Sequence, residues 1–313
     1  MKGLEICRSF YNEFGAPMLH EQFPEYEGLI AVGLVGSGSE CYGFDDEISK
    51  DHDFEAGFCM FLPDEDIIDR QTAFQLERAY SKLPKEYMGL KRSILSPAGG
   101  NRHGVIRMSD FYTEKVGSPT GDLSSAEWLT IDEFYLSEAT NGEIFRDDCG
   151  AFTLIRNKIL NMPEDIRLKK LAGNLIVMAQ AGQYNFKRCL DHGEQGAAQL
   201  AVVKFAEAGM RTVFLLNRAY MPYYKWSFRM LRTLPLLSSL ADSFEFLITS
   251  DNSLQTAETK YFIIEDIASM IIDELQKEEI TKAVCGDLEK HAYSVNDFIK
   301  DSEIRNLNIF SAV

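Results

Sequence analysis

Apolar positions follow one spacing in the first half of the chain and another in the second half. Short apolar runs bounded by glycine, proline or acidic residues predict strands over 29–35, 53–62 and 104–108, and a shorter strand over 143–145. From about Gly150 onward, apolar residues recur at helical spacing. That spacing predicts helices over 163–182, 195–218, 222–232, 237–248 and 255–277.

Helices are also predicted between the strands of the first half. The spacing over 3–22 predicts one helix, and Pro17 and Pro24 bound the connection that follows it. Three consecutive acids after Pro63 predict another helix that starts at Asp64, because the helix dipole favours negative charge in the first turn. The first half therefore alternates strands with helices.

Length and composition agree with an α+β protein of two domains. The chain has 313 residues, of which 45% are hydrophobic and 26% are charged, the balance of an ordinary globular protein. We expect an N-terminal mixed sheet with helices over 1–150 and a C-terminal helical bundle over 151–313. The boundary is placed where the strand signals stop.

Charge is strongly negative and unevenly distributed. A net charge of -16 argues against nucleic acid as a partner, because binding to phosphates needs a basic surface. Residues 1–66 hold 15 acids and 3 bases, whereas residues 187–232 hold 8 bases and 3 acids. The second segment is a basic island in an acidic chain, and it either forms a solvated face or binds an anion.

Cysteine usage and the N-terminus favour a cytoplasmic protein. The six cysteines contain no C-x-x-C pair and have no histidine at metal-ligand spacing, which predicts reduced thiols and no structural zinc. The N-terminal stretch has charges inside its apolar run and lacks a signal-peptide pattern. No apolar run is long enough to span a bilayer, so we expect no membrane partner.

The stretch most suggestive of chemistry follows the first predicted strand. Gly36–Ser39 reads Gly-Ser-Gly-Ser, where Gly38 lets the backbone approach a phosphate and Ser39 offers a hydroxyl. Asp51 and Asp53 stand two apart at the start of the next predicted strand, so their side chains share a face. Two such close carboxylates suit a hard divalent cation, Mg²⁺ or Mn²⁺, with substrate phosphates completing its shell.

Gly-Ser, a spacer and Asp-x-Asp together resemble the signature of the nucleotidyltransferase superfamily, which includes DNA polymerase beta and the kanamycin and lincosamide nucleotidyltransferases. The whole stretch from Gly36 to Phe54 is similar to an uncharacterised bacterial family, a domain of unknown function within that superfamily. Further stretches of similarity are GEIFRD at 142–147, AQAGQYN at 179–185 and LLNRAYMPYYKW at 215–226.

The resemblance implies roles for the motif residues. Gly38 and Ser39 would hold the triphosphate, and Asp51 and Asp53 would bind the metal. The reaction would transfer a nucleoside monophosphate from a nucleoside triphosphate to a hydroxyl of an unknown acceptor. Because the net charge disfavours long nucleic acids, we expect that acceptor to be a small molecule.

A third carboxylate, which binds metal and acts as the general base, is also implied by the resemblance. The predicted strand over 104–108 would carry it but contains no acid. Asp110 lies just beyond that strand and is the first candidate, followed by Glu143 and Asp147. Arg107, inside the strand, would oppose a metal if it faced the same way.

The basic island offers candidate phosphate contacts, namely Lys225 together with Arg218 or Lys187. The alternative for these residues is a solvated helix face. Two other functions also stay open: a catalytically silent nucleotide-binding or regulatory protein, and a modifier of another protein or of tRNA. A dinucleotide fold is disfavoured because 40–50 is too short for the required helix, and no Gly-Lys-Ser/Thr forms a P-loop.

Overall fold

Residues 1–46, 55–92 and 103–313 are described by the structure, a computed structural model. Within these ranges the fold is α+β, as the spacing of apolar residues predicts. The strands are β1 Ala31–Leu34, β2 Cys59–Leu62, β3 Glu86–Tyr87, β4 Leu90–Lys91, β5 Gly104–Arg107 and β6 Glu143–Arg146. The four longer strands form one sheet, and β3 pairs with β4 in a small hairpin.

Helices make up most of the remaining described chain. The first seven are α1 Gly3–Phe10, α2 Ala16–Gln22, α3 Arg70–Lys82, α4 Met108–Val116, α5 Ser125–Thr130, α6 Glu133–Thr140 and α7 Ala151–Leu160. The next eight are α8 Glu164–Met178, α9 Lys187–Asp191, α10 Gln195–Leu216, α11 Tyr224–Leu231, α12 Leu240–Thr249, α13 Leu254–Lys277, α14 Leu288–Asp297 and α15 Ser302–Asn306. Segments Tyr11–Gly15 and Ala179–Phe186 are π-helical and continue their neighbouring helices. No helix of the described chain is both long enough and apolar enough to span a membrane.

The main sheet has the strand order β5-β2-β1-β6. Strand β1 is antiparallel to both of its neighbours, and β2 is parallel to β5. Every residue of β1 and β2 is buried, which explains why both strands read as continuous apolar runs rather than as an alternating pattern.

Alternation along the second strand sends aromatic side chains to both faces of the sheet. Phe58 packs edge-on against Tyr80 of α3, with ring centroids 5.0 Å apart. Phe61 lies three residues after Phe58, so its side chain points to the opposite face of the sheet. There it packs against Phe111 of α4 and Phe152 of α7. Helices therefore cover the sheet on both sides, and no face of the two central strands meets solvent.

The helix predicted from Asp64 begins six residues later, and that prediction is wrong. The Asp69 side chain accepts a hydrogen bond from the backbone N–H of Thr72 and caps α3. The preceding turn is held by Arg107, whose guanidinium donates to the carbonyls of Pro63 and Ile68 at 2.6 and 2.9 Å. A cation brought from another strand thus keeps this acidic stretch out of the helix.

Contacts divide the chain into two compact units. The first comprises residues 1–123 and 135–161, and the second comprises residues 124–134 and 162–313. The sheet belongs to the first unit, and the long helices belong to the second. The domain boundary near Gly150 stays a prediction, and each unit is described separately.

Helix α8 forms the centre of the second unit. Nearly all of its side chains are buried, and the buried set includes charged residues as well as aliphatic ones. Its first turn is tied to two other helix ends by ion pairs. Arg167, only 2% exposed, contacts Glu164 at 2.6 Å and Glu278 at 2.7 Å, and Arg218 contacts the same two carboxylates at 2.8 and 3.1 Å.

Candidate functional site

One edge of the main sheet brings together Gly38, Ser39 and Glu143 of the predicted site residues. The strand register pairs Leu34 with Glu143 and Gly33 with Cys59, and Cys59 also pairs with Gly104. The end of β1 therefore meets the beginnings of β2, β5 and β6. We call this the glycine-serine edge, after the Gly36–Ser39 turn that follows β1.

The glycine-serine turn has a backbone that only glycine adopts readily. Gly36 has a φ of 107° and Gly38 a φ of 133°, both in the region that L side chains rarely enter. Ser39 follows and is buried, with 8% of its surface exposed. Its carbonyl accepts hydrogen bonds from the backbone of Tyr42 and Phe44, which close a short 3-10 turn. The positive φ angles explain why glycine occupies both positions, and the approach of this backbone to a phosphate stays a prediction.

Asn141, in the connection between α6 and β6, fixes the position of the turn. Its side-chain amide donates to the carbonyl of Gly36 at 2.8 Å and accepts from the N–H of Gly36 at 2.8 Å. Arg156 of α7 donates to the carbonyls of Thr140 and Asn141, the latter at 2.7 Å, and so fixes the segment that carries the amide. Charge-assisted bonds of this kind are the stronger hydrogen bonds of a protein.

Asp51 and Asp53 lie outside the described residues. The chain on either side of them is tied to helix α1. The carboxylate of Asp45 accepts from the N–H of Gly3 at 3.1 Å, and the carbonyl of Glu55 accepts from the thiol of Cys7 at 3.6 Å. Both flanking residues therefore contact the same helix, about one turn apart.

Glu55 and His103 form a buried polar pair at the glycine-serine edge. The His103 ring is 5% exposed, and its Nδ1 lies 3.0 Å from Oε1 of Glu55. Its Nε2 is buried and has no hydrogen-bond partner within the part of the chain that the structure describes. Neither residue is among the candidates that the sequence pattern predicts. Glu55 continues the two-residue spacing of Asp51 and Asp53, and that spacing was the available signal.

The three candidate bases lie in different places. Asp110 is exposed in the first turn of α4, after the end of β5 that is remote from the glycine-serine edge. Asp147 follows the remote end of β6 and accepts from the N–H of Thr153 at the start of α7. Glu143 is the first residue of β6 and lies at the edge, ion-paired with Arg8. The structure brings only Glu143 of these three to the turn of Gly38 and Ser39.

Arg218 and Lys225 belong to the second unit. Arg218 has a positive φ of 53° and is engaged by Glu164 and Glu278. Lys225 is exposed on α11, with its ammonium 5.1 Å from the centre of the Trp226 ring. Their roles as phosphate contacts stay predictions.

A divalent cation would take its ligands from oxygen atoms at the glycine-serine edge. Within residues 1–46, 55–92 and 103–313, no group of three histidine, cysteine, aspartate or glutamate side chains is arranged to hold a metal ion. The carboxylates of Glu55 and Glu143 lie at this edge, but they are engaged by His103 and Arg8. Binding of Mg²⁺ or Mn²⁺ by Asp51 and Asp53 stays a prediction, because both residues lie outside the described ranges.

Residues 128–227 match the model of a protein family described as a domain of unknown function, DUF4037. The match covers less than half of the chain. It includes all three stretches of longer similarity, from GEIFRD to LLNRAYMPYYKW, whereas the Gly-Ser and Asp-x-Asp motifs lie before it. No curated protein and no solved structure matches the chain.

Proposed function

We propose that the protein is a metal-dependent nucleotidyltransferase whose nucleotide site lies at the glycine-serine edge. The observation that carries this proposal is the turn itself. A strand is followed by two glycines of positive φ and a buried serine, and the side chain of Asn141, just before β6, holds both polar groups of the first glycine. A turn that is fixed in this way suits the oxygens of a triphosphate.

The proposed reaction is a displacement at phosphorus. The acceptor hydroxyl oxygen bonds to the α-phosphorus, the bond from that phosphorus to the bridging oxygen breaks, and pyrophosphate leaves. The hydroxyl proton passes to a carboxylate. Mg²⁺ or Mn²⁺ held by Asp51 and Asp53 would offset the negative charge of the phosphates. Gly38 and Ser39 would position the triphosphate.

Glu143 and Glu55 replace Asp110 as the proposed sources of the third carboxylate. Both lie at the glycine-serine edge, and Asp110 does not. Glu55 is held by His103, and Glu143 by Arg8. A neighbouring nitrogen therefore already orients each carboxylate. This is expected of a carboxylate that binds a metal or accepts a proton from a fixed position.

Binding is tested by thermal unfolding with nucleoside triphosphates, with Mg²⁺ and with EDTA. We expect one triphosphate to raise the unfolding temperature in the presence of Mg²⁺, because it binds the folded state selectively. Asp53→Asn removes the metal-dependent part of the shift, and the control Asp66→Asn, an exposed acid elsewhere, retains it. If none of the common triphosphates shifts the wild type, the nucleotide site is refuted.

Turnover separates the enzyme from a catalytically silent nucleotide-binding protein. Pyrophosphate release is measured with a panel of small hydroxyl-bearing acceptors. If the protein is an enzyme, Glu55→Gln or Glu143→Gln retains the nucleotide-induced shift but loses turnover. Binding without turnover for any acceptor, including protein and tRNA, supports the silent binder instead.

A further inference from the structure

The stretch AQAGQYN at 179–185 takes no part in the proposed nucleotide site. It belongs to the second unit and forms most of the π-helical segment Ala179–Phe186. Helical segments of this kind are rare and frequently occur at functional sites. Gly182 lets the segment approach α10 closely, since a Cβ added there would lie 2.3 Å from the ring of Phe205. Other residues of the same stretch line a cavity.

This cavity has a volume of about 640 Å³, which is within the range of small-molecule sites. Gln183 holds its walls together. The side-chain amide of Gln183 donates to Glu265 of α13 and to the carbonyl of Gly286, both at 2.9 Å. Its amide oxygen accepts from the N–H of Leu288, the first residue of α14, at 3.0 Å. Fixed side-chain contacts therefore join the π-helical segment to α13 and to the start of α14 around this cavity.

The charged residues that line the cavity are all acidic. They are Glu265, Asp287 and Glu289, and no described residue of the lining is basic. Oε2 of Glu265 accepts from Gln183, and Oδ1 of Asp287 accepts from the N–H of Glu289. None of the three carboxylates has an ion-pair partner within the described chain. A cleft lined by charges of one sign concentrates ions of the opposite sign, so the lining favours a cationic ligand.

The arrangement of the carboxylates distinguishes between kinds of cation. These three described carboxylates do not form a group that could hold one metal ion. They are divided between α13, which carries Glu265, and the start of α14, so a ligand must present positive charge at separate points. Ala179 and the ring of Tyr184 add apolar surface to the same lining. Arg188 fixes that ring by donating to its hydroxyl at 3.0 Å.

We propose that this cavity binds a linear aliphatic polyamine with at least two ammonium groups. One ammonium group pairs with Glu265 and another with Asp287 or Glu289, and the methylene groups between them contact Ala179 and Tyr184. A monoamine would leave the carboxylates of one wall unpaired. The lining lies entirely within the second unit, so this inference does not depend on the proposed nucleotide site.

Amines of different charge number test the ligand class. Unfolding temperatures of the full chain are measured with spermidine, putrescine and butylamine, at equal total amine charge and constant ionic strength. We expect spermidine or putrescine to raise the unfolding temperature more than butylamine does, because a polyamine reaches both acidic walls and binds the folded state selectively. Equal shifts at equal charge, or no shift with any amine, overturn the proposal.

Two variants and one control place the effect in the cavity. Glu265→Gln and Asp287→Asn each remove the advantage of the polyamine over butylamine. Both variants retain the local contacts, because glutamine can still accept from Gln183 and asparagine can still cap α14. The control Asp266→Asn removes the same charge from an exposed position of α13 outside the lining, and it keeps the advantage. Retention of the advantage in both cavity variants, or an equal loss in the control, refutes the site.

Discussion

Two glycines near β6 adopt the left-handed backbone conformation, but their surroundings differ. Gly142 has a φ of 64°, and a Cβ added there would lie 2.0 Å from the carbonyl oxygen of Leu34. Gly150 has a φ of 67° with nothing within 4 Å of the corresponding Cβ position. The first glycine lets β6 approach the end of β1, and the second only allows the chain to turn.

Alanine substitution should separate these two roles. We expect Gly150→Ala to lower the free energy of unfolding by about 1–2 kcal/mol, the cost of a left-handed alanine. Gly142→Ala adds a backbone clash and should cost about 3 kcal/mol or more. Urea denaturation of the two variants measures the difference. Equal losses would mean that the close approach at the glycine-serine edge contributes nothing to stability.

At the residue scale, the sequence predicts the motif but not its supports. Small residues after an apolar run are enough to indicate the turn of Gly38 and Ser39. Asn141 could not be found in this way, because it lies 105 positions from Gly36 and its amide has no pattern of its own. His103 could not be found for the same reason, since it lies 48 positions from its partner Glu55. Contacts between distant residues depend on the register of the strands.

Three helix ends meet in the ion-pair network of the second unit. Glu164 begins α8, Arg218 follows the end of α10, and Glu278 follows the end of α13. Hydrogen bonds from Arg167 and Arg218 lower the pKa of the Glu164 carboxyl from 4.5 to about 2. A depressed pKa means that the carboxylate stabilises the fold above pH 4.5, and that this contribution is lost as the pH falls toward 2.

Glu164→Gln should therefore be destabilising mainly above pH 4.5. We expect the difference in unfolding free energy between wild type and variant to be largest near pH 6 and to shrink steadily toward pH 2. Urea denaturation across this range measures it, with Glu258→Gln, an exposed residue of α13, as the control. A difference that is independent of pH would show that the ion pairs do not depend on the charge of Glu164.

At the element scale, helices with a clear apolar stripe are predicted closely, and boundaries set by distant side chains are not. The helix predicted over 255–277 is observed as Leu254–Lys277. The start predicted at Asp64 fails because Asp64 accepts from Ser109 at 2.7 Å and because the Arg107 guanidinium holds the turn. Neither partner is near in sequence, so no local pattern excludes a start at Asp64, whereas the Asp69 cap is a local signal for the true start at Arg70.

At the scale of the whole molecule, neither unit is continuous in sequence. Residues 124–134 belong with the helices of 162–313, and Trp128 in this segment is 4% exposed. A fragment of residues 162–313 lacks that tryptophan, and removing a buried aromatic side chain costs about 3–5 kcal/mol. We expect this fragment to unfold at a lower urea concentration than a fragment of residues 124–313, as followed by circular dichroism. Equal midpoints would show that residues 124–134 are dispensable for the second unit.

The interrupted units have a consequence for synthesis on the ribosome. Strand β6 is the last strand of the sheet to be made, and it lies beside β1, which is among the first. Until residues 143–146 have emerged, the nascent chain carries β1 with one row of backbone donors and acceptors unpaired. Such an open, apolar strand edge is a template for pairing with other chains. Any pause in translation before Glu143 therefore prolongs the stage at which this protein is most prone to aggregate.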